Sequence, residues 1–163
     1  MSYSFKPITP DDRVAVIDIL NHFIENSFAA YSEKNIPYEF FDRLLMVIGN
    51  YPAVTIRDDN DSTVGFAFMH AYHPADSMRH TAELTYFILP EHTGRGLGKL
   101  MLDYLTEQAR ERGIKIFLGQ ISSLNEQSLN FHKKHGFREV GRFPKVGCKN
   151  SRDFDVVWVQ KEI

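Results

Sequence analysis

The amino-acid sequence predicts an α/β (α+β) fold, a mixed central β-sheet of about seven strands flanked by about four helices. Three observations carry that expectation. β-rich runs and helically spaced apolar runs follow one another in the order β-α-α-β-β-β-α-β-α-β-β. The alternation is incomplete, because strands succeed one another directly in the middle of the chain, which disfavours a doubly wound parallel sheet. The stretch from Glu83 to Gly113 reads as one unit: strand, proline stop, glycine-spaced turn, amphipathic helix.

Each element has its own signal. Tyr3 to Ile8 alternates as a first strand. Thr9-Pro10-Asp11-Asp12 opens a helix: Thr9 or Asp11 can take orphan amides, and Pro10 suits the first turn. Val14, Ile17, Leu20, Phe23 and Ile24 form its apolar stripe, and Asn26 to Tyr31 breaks it. A second helix is expected after Pro37, with Phe40, Leu44, Leu45 and Ile48 on one face. Ala53 to Arg57 and Val64 to Tyr72 read as a hairpin turned at Asp58-Asp59-Asn60-Asp61. That acidic turn lacks the glycine and the distal glutamate of a calcium loop, so it reads as a solvated turn.

Glu83 to Leu89 is the fourth strand, rich in residues that favour a pleated, half-buried surface and stopped by Pro90, which cannot donate to a ladder. Leu100, Met101, Tyr104, Leu105 and Ala109 recur at helical spacing up to Gly113. Lys115 to Ile121 is a fifth strand. Ser122 to Asn125 caps a short helix through Lys134, Gly136 ends it, Phe137 opens a sixth strand, and Phe154 to Gln160 supplies the last. Without repeats, low-complexity segments or a linker, residues 1–163 are expected to form a single domain.

Composition narrows the function classes. With 43% apolar and 25% charged residues the chain is ordinary globular material. A net charge of −2 offers no basic excess for a nucleic acid or another polyanion. One cysteine, Cys148, rules out an internal disulfide and fits a reducing compartment. No apolar run approaches the roughly 20 residues of a membrane span, and no basic-then-apolar leader opens the chain. These features predict a cytoplasmic protein with neither nucleic acid nor membrane as partner.

Between the fourth strand and its helix, Gly94, Gly96 and Gly98 let backbone N–H groups turn toward one point with no Cβ in the way. The point lies at a helix N-terminus, where unsatisfied amides and the macrodipole favour an anion. The arrangement is a phosphate cradle. A Walker A loop would need glycine where Thr93 stands and Ser or Thr where Leu100 stands; a dinucleotide fingerprint would need glycine where Lys99 stands. Neither pattern fits.

Thr93-Gly94-Arg95-Gly96-Leu97-Gly98 instead resembles motif A of the GNAT N-acetyltransferase superfamily, Gln/Arg-x-x-Gly-x-Gly/Ala, with Thr93 in place of the usual Gln or Arg. The run from Asn125 to Phe137, an Asn, a short helix, then His132 five residues before Phe137 in its Gly-Phe pair, is similar to motif B. With Thr81-Ala82-Glu83 upstream and Val146 to Trp158 downstream, the resemblance points to the phosphinothricin acetyltransferase-like branch. It runs loosely along most of the chain and tightly from Thr81 onward.

The resemblance implies a GNAT-like sheet with acetyl-CoA, a co-substrate, lying across the splayed ends of the fourth and fifth strands, and no metal. Its pantetheine would pair with backbone at Phe87, Ile88 and Leu89. Its pyrophosphate would rest on the turn formed by Thr93, Gly94, Arg95, Gly96, Leu97, Gly98 and Lys99, and Asn125 and Ser128 would face its pantetheine or adenosine arm while also capping their helix. The implied reaction is N-acetylation of the primary amine of a small, amino-acid-like substrate by direct attack in a ternary complex. Glu83 is the implied base, on an apolar strand where desolvation favours proton uptake by a carboxylate. A backbone amide near Ile88 is the implied oxyanion donor. His132 stands where relatives carry the group that protonates the leaving thiolate, or it contacts the cofactor only. Phe28, Tyr31, Met78 and Arg79 would receive the acceptor, Arg79 on a carboxylate. Ser77-Met78 replaces the Ala-Tyr pair of enzymes acting on phosphinothricin, which shifts weight away from that herbicide. The branch commonly works as a homodimer. A protein or peptide N-acetyltransferase and a non-catalytic acyl-CoA sensor remain as alternatives.

The other histidines give no metal site: His70 and His73 have no third ligand, and His22, His80, His92 and His135 read as surface or packing residues, His80 lying close to Glu83. Nothing beside Cys148 argues for a nucleophile.

Overall fold

The structure is a computed structural model that describes residues 2–163. Its elements are β1 (Ser4–Pro7), α1 (Arg13–Asn26), α2 (Phe40–Ile48), β2 (Ala53–Arg57), β3 (Thr63–Ala71), β4 (Thr81–Ile88), α3 (Leu97–Glu111), β5 (Ile116–Ser122), α4 (Glu126–Lys134), β6 (Arg138–Lys149) and β7 (Arg152–Glu162). Together the strands make one seven-stranded mixed sheet in the order β1-β2-β3-β4-β5-β7-β6, flanked by the four helices, as the sequence predicts.

Period-2 alternation sorts the side chains onto two faces. On one face Leu84, Met69, Phe117, Val157 and Val159 pack with the α3 residues Leu97, Met101, Leu102, Leu105 and Ala109. On the other, Phe66 and Phe68 of β3 meet Val16, Ile17 and Ile19 of α1 and Phe41, Leu44 and Ile48 of α2. The α1 start is tied to the sheet by Asp12, a buried carboxylate. It accepts from the Thr9 amide at 2.8 Å and from the Arg57 guanidinium at 2.7 Å. Thr9 and Asp12 thus form a capping box at this end, and Asp12 adds the link to Arg57.

One feature escaped the sequence reading. β6 and β7 are 12 and 11 residues long and joined at Asn150-Ser151, whose φ values of 51° and 62° are both left-handed. That geometry matches the twist of a two-residue hairpin, but Asn-Ser is a weaker signature of it than Asn-Gly. Among the described residues β4 and β5 form the only parallel pair, and it parts as the resemblance implies. β4 and β5 are in register at Thr81↔Ile116, Ala82↔Phe117 and Glu83↔Leu118, and pairing stops there, although both strands run on. Every other neighbouring pair is antiparallel, and β5 transfers its far edge to β7 along its whole length. Beyond Glu83 the sheet is open.

Candidate active site

A cleft of about 200 Å³ lies at that opening, lined by Glu83 to Phe87 of β4, Gly119 to Ser122 of β5, Asn125, Ser128 and His132, and Ala29 and Tyr31 from the loop after α1. Glu83 stands where the strands part. Its side chain is 14% exposed; Oε1 accepts from Gln120 Nε2 at 2.8 Å, and Oε2 faces His70 Nε2 at 3.8 Å. His70 is the direct cross-strand partner of Glu83 on β3, so both side chains leave the sheet on one face. His80 precedes β4, and its carbonyl accepts the Lys115 and Ile116 amides. His73 lies past the end of β3, where its ring accepts the Ala75 amide, and among the described residues no group of three metal-ligating side chains occurs.

The β3–β4 register decides which backbone groups face the opening. Leu89 N–H donates to Val64 O at 2.9 Å. In an antiparallel pair the backbone of alternate residues points to the same neighbour, so Phe87, like Leu89, directs its amide to β3. Tyr86 and Ile88 direct theirs the other way, toward the gap. Of Phe87, Ile88 and Leu89, only Ile88 therefore keeps a backbone donor on the cleft side, and Tyr86 joins it. The Phe87 ring packs on Phe23 and Phe66, with centroids 5.1 and 5.5 Å apart.

His132 is 4% exposed on the inner face of α4. Its Nδ1 lies 2.7 Å from the Ser128 carbonyl, which can only accept, so Nδ1 carries the proton. Nε2 is then an acceptor, and the Tyr86 hydroxyl donates to it. Burial holds the imidazole down at about 4, with His135 adding to the depression and the Ser128 hydrogen bond opposing it. The ring is neutral across the physiological range, with both nitrogens engaged. Tyr86, pushed far up by burial, keeps its proton.

A stability prediction follows. Unfolded, this histidine takes up its proton near pH 6.5, whereas folded it does so near 4. The unfolded chain binds more protons between those values. Stability from this group is thus complete above about pH 6.5 and lost as pH falls toward 4, by on the order of 3 kcal/mol. Urea titrations at about pH 7 and pH 4.5 are expected to show that loss in the wild type and a distinctly flatter dependence in His132→Asn. Equal slopes would refute it.

The glycine turn follows β4 directly. Gly94 and Gly96 have φ values of 73° and 81°, and a Cβ at either would meet nothing within 4 Å, so glycine is required there by backbone conformation rather than by space. Gly96 is the N-cap of α3 and no side chain caps that helix, leaving its first amides available to an anion. Gly98 packs against α4: a Cβ there would lie 2.9 Å from the Phe131 ring, which would have to shift. Leu97 gives the turn its amide only, since its side chain is buried in the core. Thr93 turns its hydroxyl back to Pro90 O at 2.7 Å, Lys99 pairs with Asp103, and Arg95 is exposed. Uncapped amides, two left-handed glycines and an adjoining opening in the sheet fit a pyrophosphate with an extended thioester arm.

Asn125 caps α4, its Oδ1 accepting the Ser128 amide at 3.2 Å. On the acceptor side, Tyr31 is stacked on Phe154 at 5.5 Å. Its hydroxyl is pushed up to about 12, by desolvation first and then by the negative charge of Glu83. Phe28 sits behind it, 6.4 Å from Phe154 and under the Arg152 guanidinium at 5.1 Å. Met78 and Arg79 are not among the lining residues; they lie in an exposed turn before β4, where Arg79 donates to Asp76 O at 2.9 Å. Sequence reasoning missed Tyr86, His70 and Gln120. Gln120 alone carried a signal, a polar residue amid an apolar strand.

Known proteins place this geometry. The acetyltransferase (GNAT) family model matches residues 16–137. The L-amino acid N-acyltransferase of Escherichia coli is 28% identical over 156 residues, covering 93% of this chain and 89% of that protein. A phosphinothricin N-acetyltransferase of Streptomyces viridochromogenes is 27% identical over 158 residues, covering 96% and 86%. A Salmonella typhimurium structure solved with its cofactor acetyl-CoA superposes with a TM-score of 0.85 at 25% identity, over 99% of this chain and 94% of that one. The chain belongs to the acetyltransferase (GNAT) family, next to its phosphinothricin acetyltransferase-like members.

Proposed function

We propose that the protein transfers the acetyl group of acetyl-CoA to the primary amine of a small, amino-acid-like acceptor, by direct attack in a ternary complex. The observation that carries this reading is the parting of β4 from β5 at Glu83. It leaves a half-buried carboxylate at the mouth of a cleft that runs along β4, the strand that leads on to the glycine turn. Acetyl-CoA supplies an activated thioester. Its phosphates would be held by the amides from Gly94 to Lys99, and its arm would run along the free backbone of Tyr86 and Ile88 past Asn125 and Ser128.

Glu83 acts as the base that takes a proton from the acceptor ammonium, held for it by Gln120 and flanked by His70. The Ile88 amide donates to the developing oxyanion. His132 acts through Tyr86: its Nε2 accepts the phenol proton and fixes the ring along the cofactor arm, leaving the phenol oxygen as an acceptor on the cleft side. The proton given up by the new amide nitrogen then neutralises the thiolate, whose ordinary value near 8.5 makes it a ready leaving group. Tyr31 and Phe28 form the acceptor side. The single cysteine fits a cytoplasmic setting, and the exposed Val140, Phe143 and Val146 on edge strand β6 suit a homodimer contact.

The deciding experiment is free-CoA release from acetyl-CoA, followed with a thiol reagent, across amino acids, methionine sulfoximine and sulfone, phosphinothricin and polyamines. Saturable release with an amino-acid-like amine is expected. A blank panel with tight acetyl-CoA binding would overturn the small-acceptor reading in favour of a protein acceptor or a sensor.

A further inference from the structure

Lys149, the last residue of β6, is 1% exposed, and its ammonium donates to three backbone carbonyls: Ile24 at 2.8 Å, Ser27 at 2.8 Å and Ala30 at 2.7 Å. An ammonium has three donors and no acceptor, so the three carbonyls use it completely. They belong to the last turn of α1 and the loop that follows, where helix carbonyls lack intrahelical partners and the dipole favours a cation. Burial lowers the basicity of this lysine, and Glu33 opposes that.

The loop it grips carries Phe28 and Tyr31 and has few ties of its own: Ser27 Oγ donates to Phe23 O at 2.8 Å and accepts the Ala29 amide at 3.1 Å. Farther along, Asn35 donates to Glu25 and Ile36 exchanges hydrogen bonds with Asn21 of α1. Further ties come from the β6–β7 hairpin. The Asn150 amide donates to Glu33 Oε1 at 2.8 Å, Phe154 stacks on Tyr31, and Arg152 covers Phe28. The acceptor side of the cleft is thus assembled on a hairpin more than a hundred residues away in sequence, around one buried charge.

We propose that Lys149 is a positioning residue for the acceptor. Its ammonium gathers the Ile24, Ser27 and Ala30 carbonyls and so sets the loop that holds Tyr31 against Phe154, at the cleft mouth beside Glu83. Lys149 touches neither the acceptor nor the thioester; it acts through Tyr31. The inference rests on the reading of Tyr31 as an acceptor contact.

Two measurements test it. In the free protein, amide hydrogen exchange resolved by NMR should find Ser27 and Ala29 protected in the wild type. Lys149→Met should accelerate their exchange at least tenfold while β3 and β5 stay unchanged. Fast exchange of these amides in the wild type, which needs no variant to fold, or equal rates in the two proteins, would overturn the proposal. In kinetics with L-methionine sulfone, or the amino acid ranked first by CoA release, Lys149→Met should raise the acceptor KM about tenfold and leave the acetyl-CoA KM within twofold. In a Tyr31→Ala background it should add little. Effects that multiply, or an unchanged acceptor KM in Lys149→Met when Tyr31→Ala raises it, would overturn the proposal. An acceptor KM untouched by Tyr31→Ala would instead remove Tyr31 from the acceptor site, and with it the route by which Lys149 acts.

Discussion

Replacing Glu83 by Gln is expected to lower kcat at neutral pH by a factor of about 10² to 10⁴, while acetyl-CoA affinity stays within twofold. The substitution is nearly isosteric. The new amide oxygen can still accept from Gln120, now at 2.8 Å from the carboxylate, so the strand and the cleft should keep their shape. What is lost is a proton acceptor at the point where β4 leaves β5. The carboxylate works from a half-buried position opposite His70, so water cannot easily stand in for it. Free-CoA release at saturating concentrations of both substrates, paired with equilibrium binding of acetyl-CoA, checks both halves. A kcat within threefold of the wild type would remove Glu83 as the base, and a matching loss of acetyl-CoA affinity would mean that it shapes the cofactor site instead.

Gly96→Val should weaken acetyl-CoA binding by about 10- to 100-fold, the worth of one or two charge-assisted hydrogen bonds. The reason lies in the backbone. Space around Gly96 is open, but a β-branched residue at φ 81° is a steric outlier, so the turn would relax toward negative φ and carry the Leu97, Gly98 and Lys99 amides off their common point. Gly113→Ala is the control: it too is left-handed, with φ 74° and open space, but it lies beyond the far end of α3. That variant should lose stability and retain acetyl-CoA affinity. If Gly96→Val binds acetyl-CoA as the wild type does, the turn is not a phosphate cradle.

Much of the fold was legible because it depends on local periodicity. The first helix, the β2–β3 hairpin and the helix after the glycine turn each fall where the pattern puts them, although Val14 and Leu100 of the expected stripes are exposed and Val16, Ile19 and Leu102 are buried instead. The cradle was legible for a similar reason: three glycines between a strand and a helix constrain backbone geometry whatever surrounds them. Glu83 was visible as one carboxylate in an apolar run.

The remainder depended on pairing between distant segments. His70 had no local mark; only the register of β3 on β4 sets it across from Glu83. Tyr86 reads in sequence as an ordinary strand aromatic, and its hydroxyl acquires meaning from His132, 46 residues later. The sequence by itself determined the element order, the anion-binding turn and the residue types available for acid–base chemistry, because those follow from side-chain period and backbone sterics within a few neighbouring residues. Only the tertiary structure decided that β4 and β5 part at Glu83, that His132 is neutral with both nitrogens engaged, and that Lys149 organises the loop carrying Tyr31. Register, desolvation and the satisfaction of buried charge are properties of what surrounds a residue, and those surroundings come from parts of the chain far away in sequence.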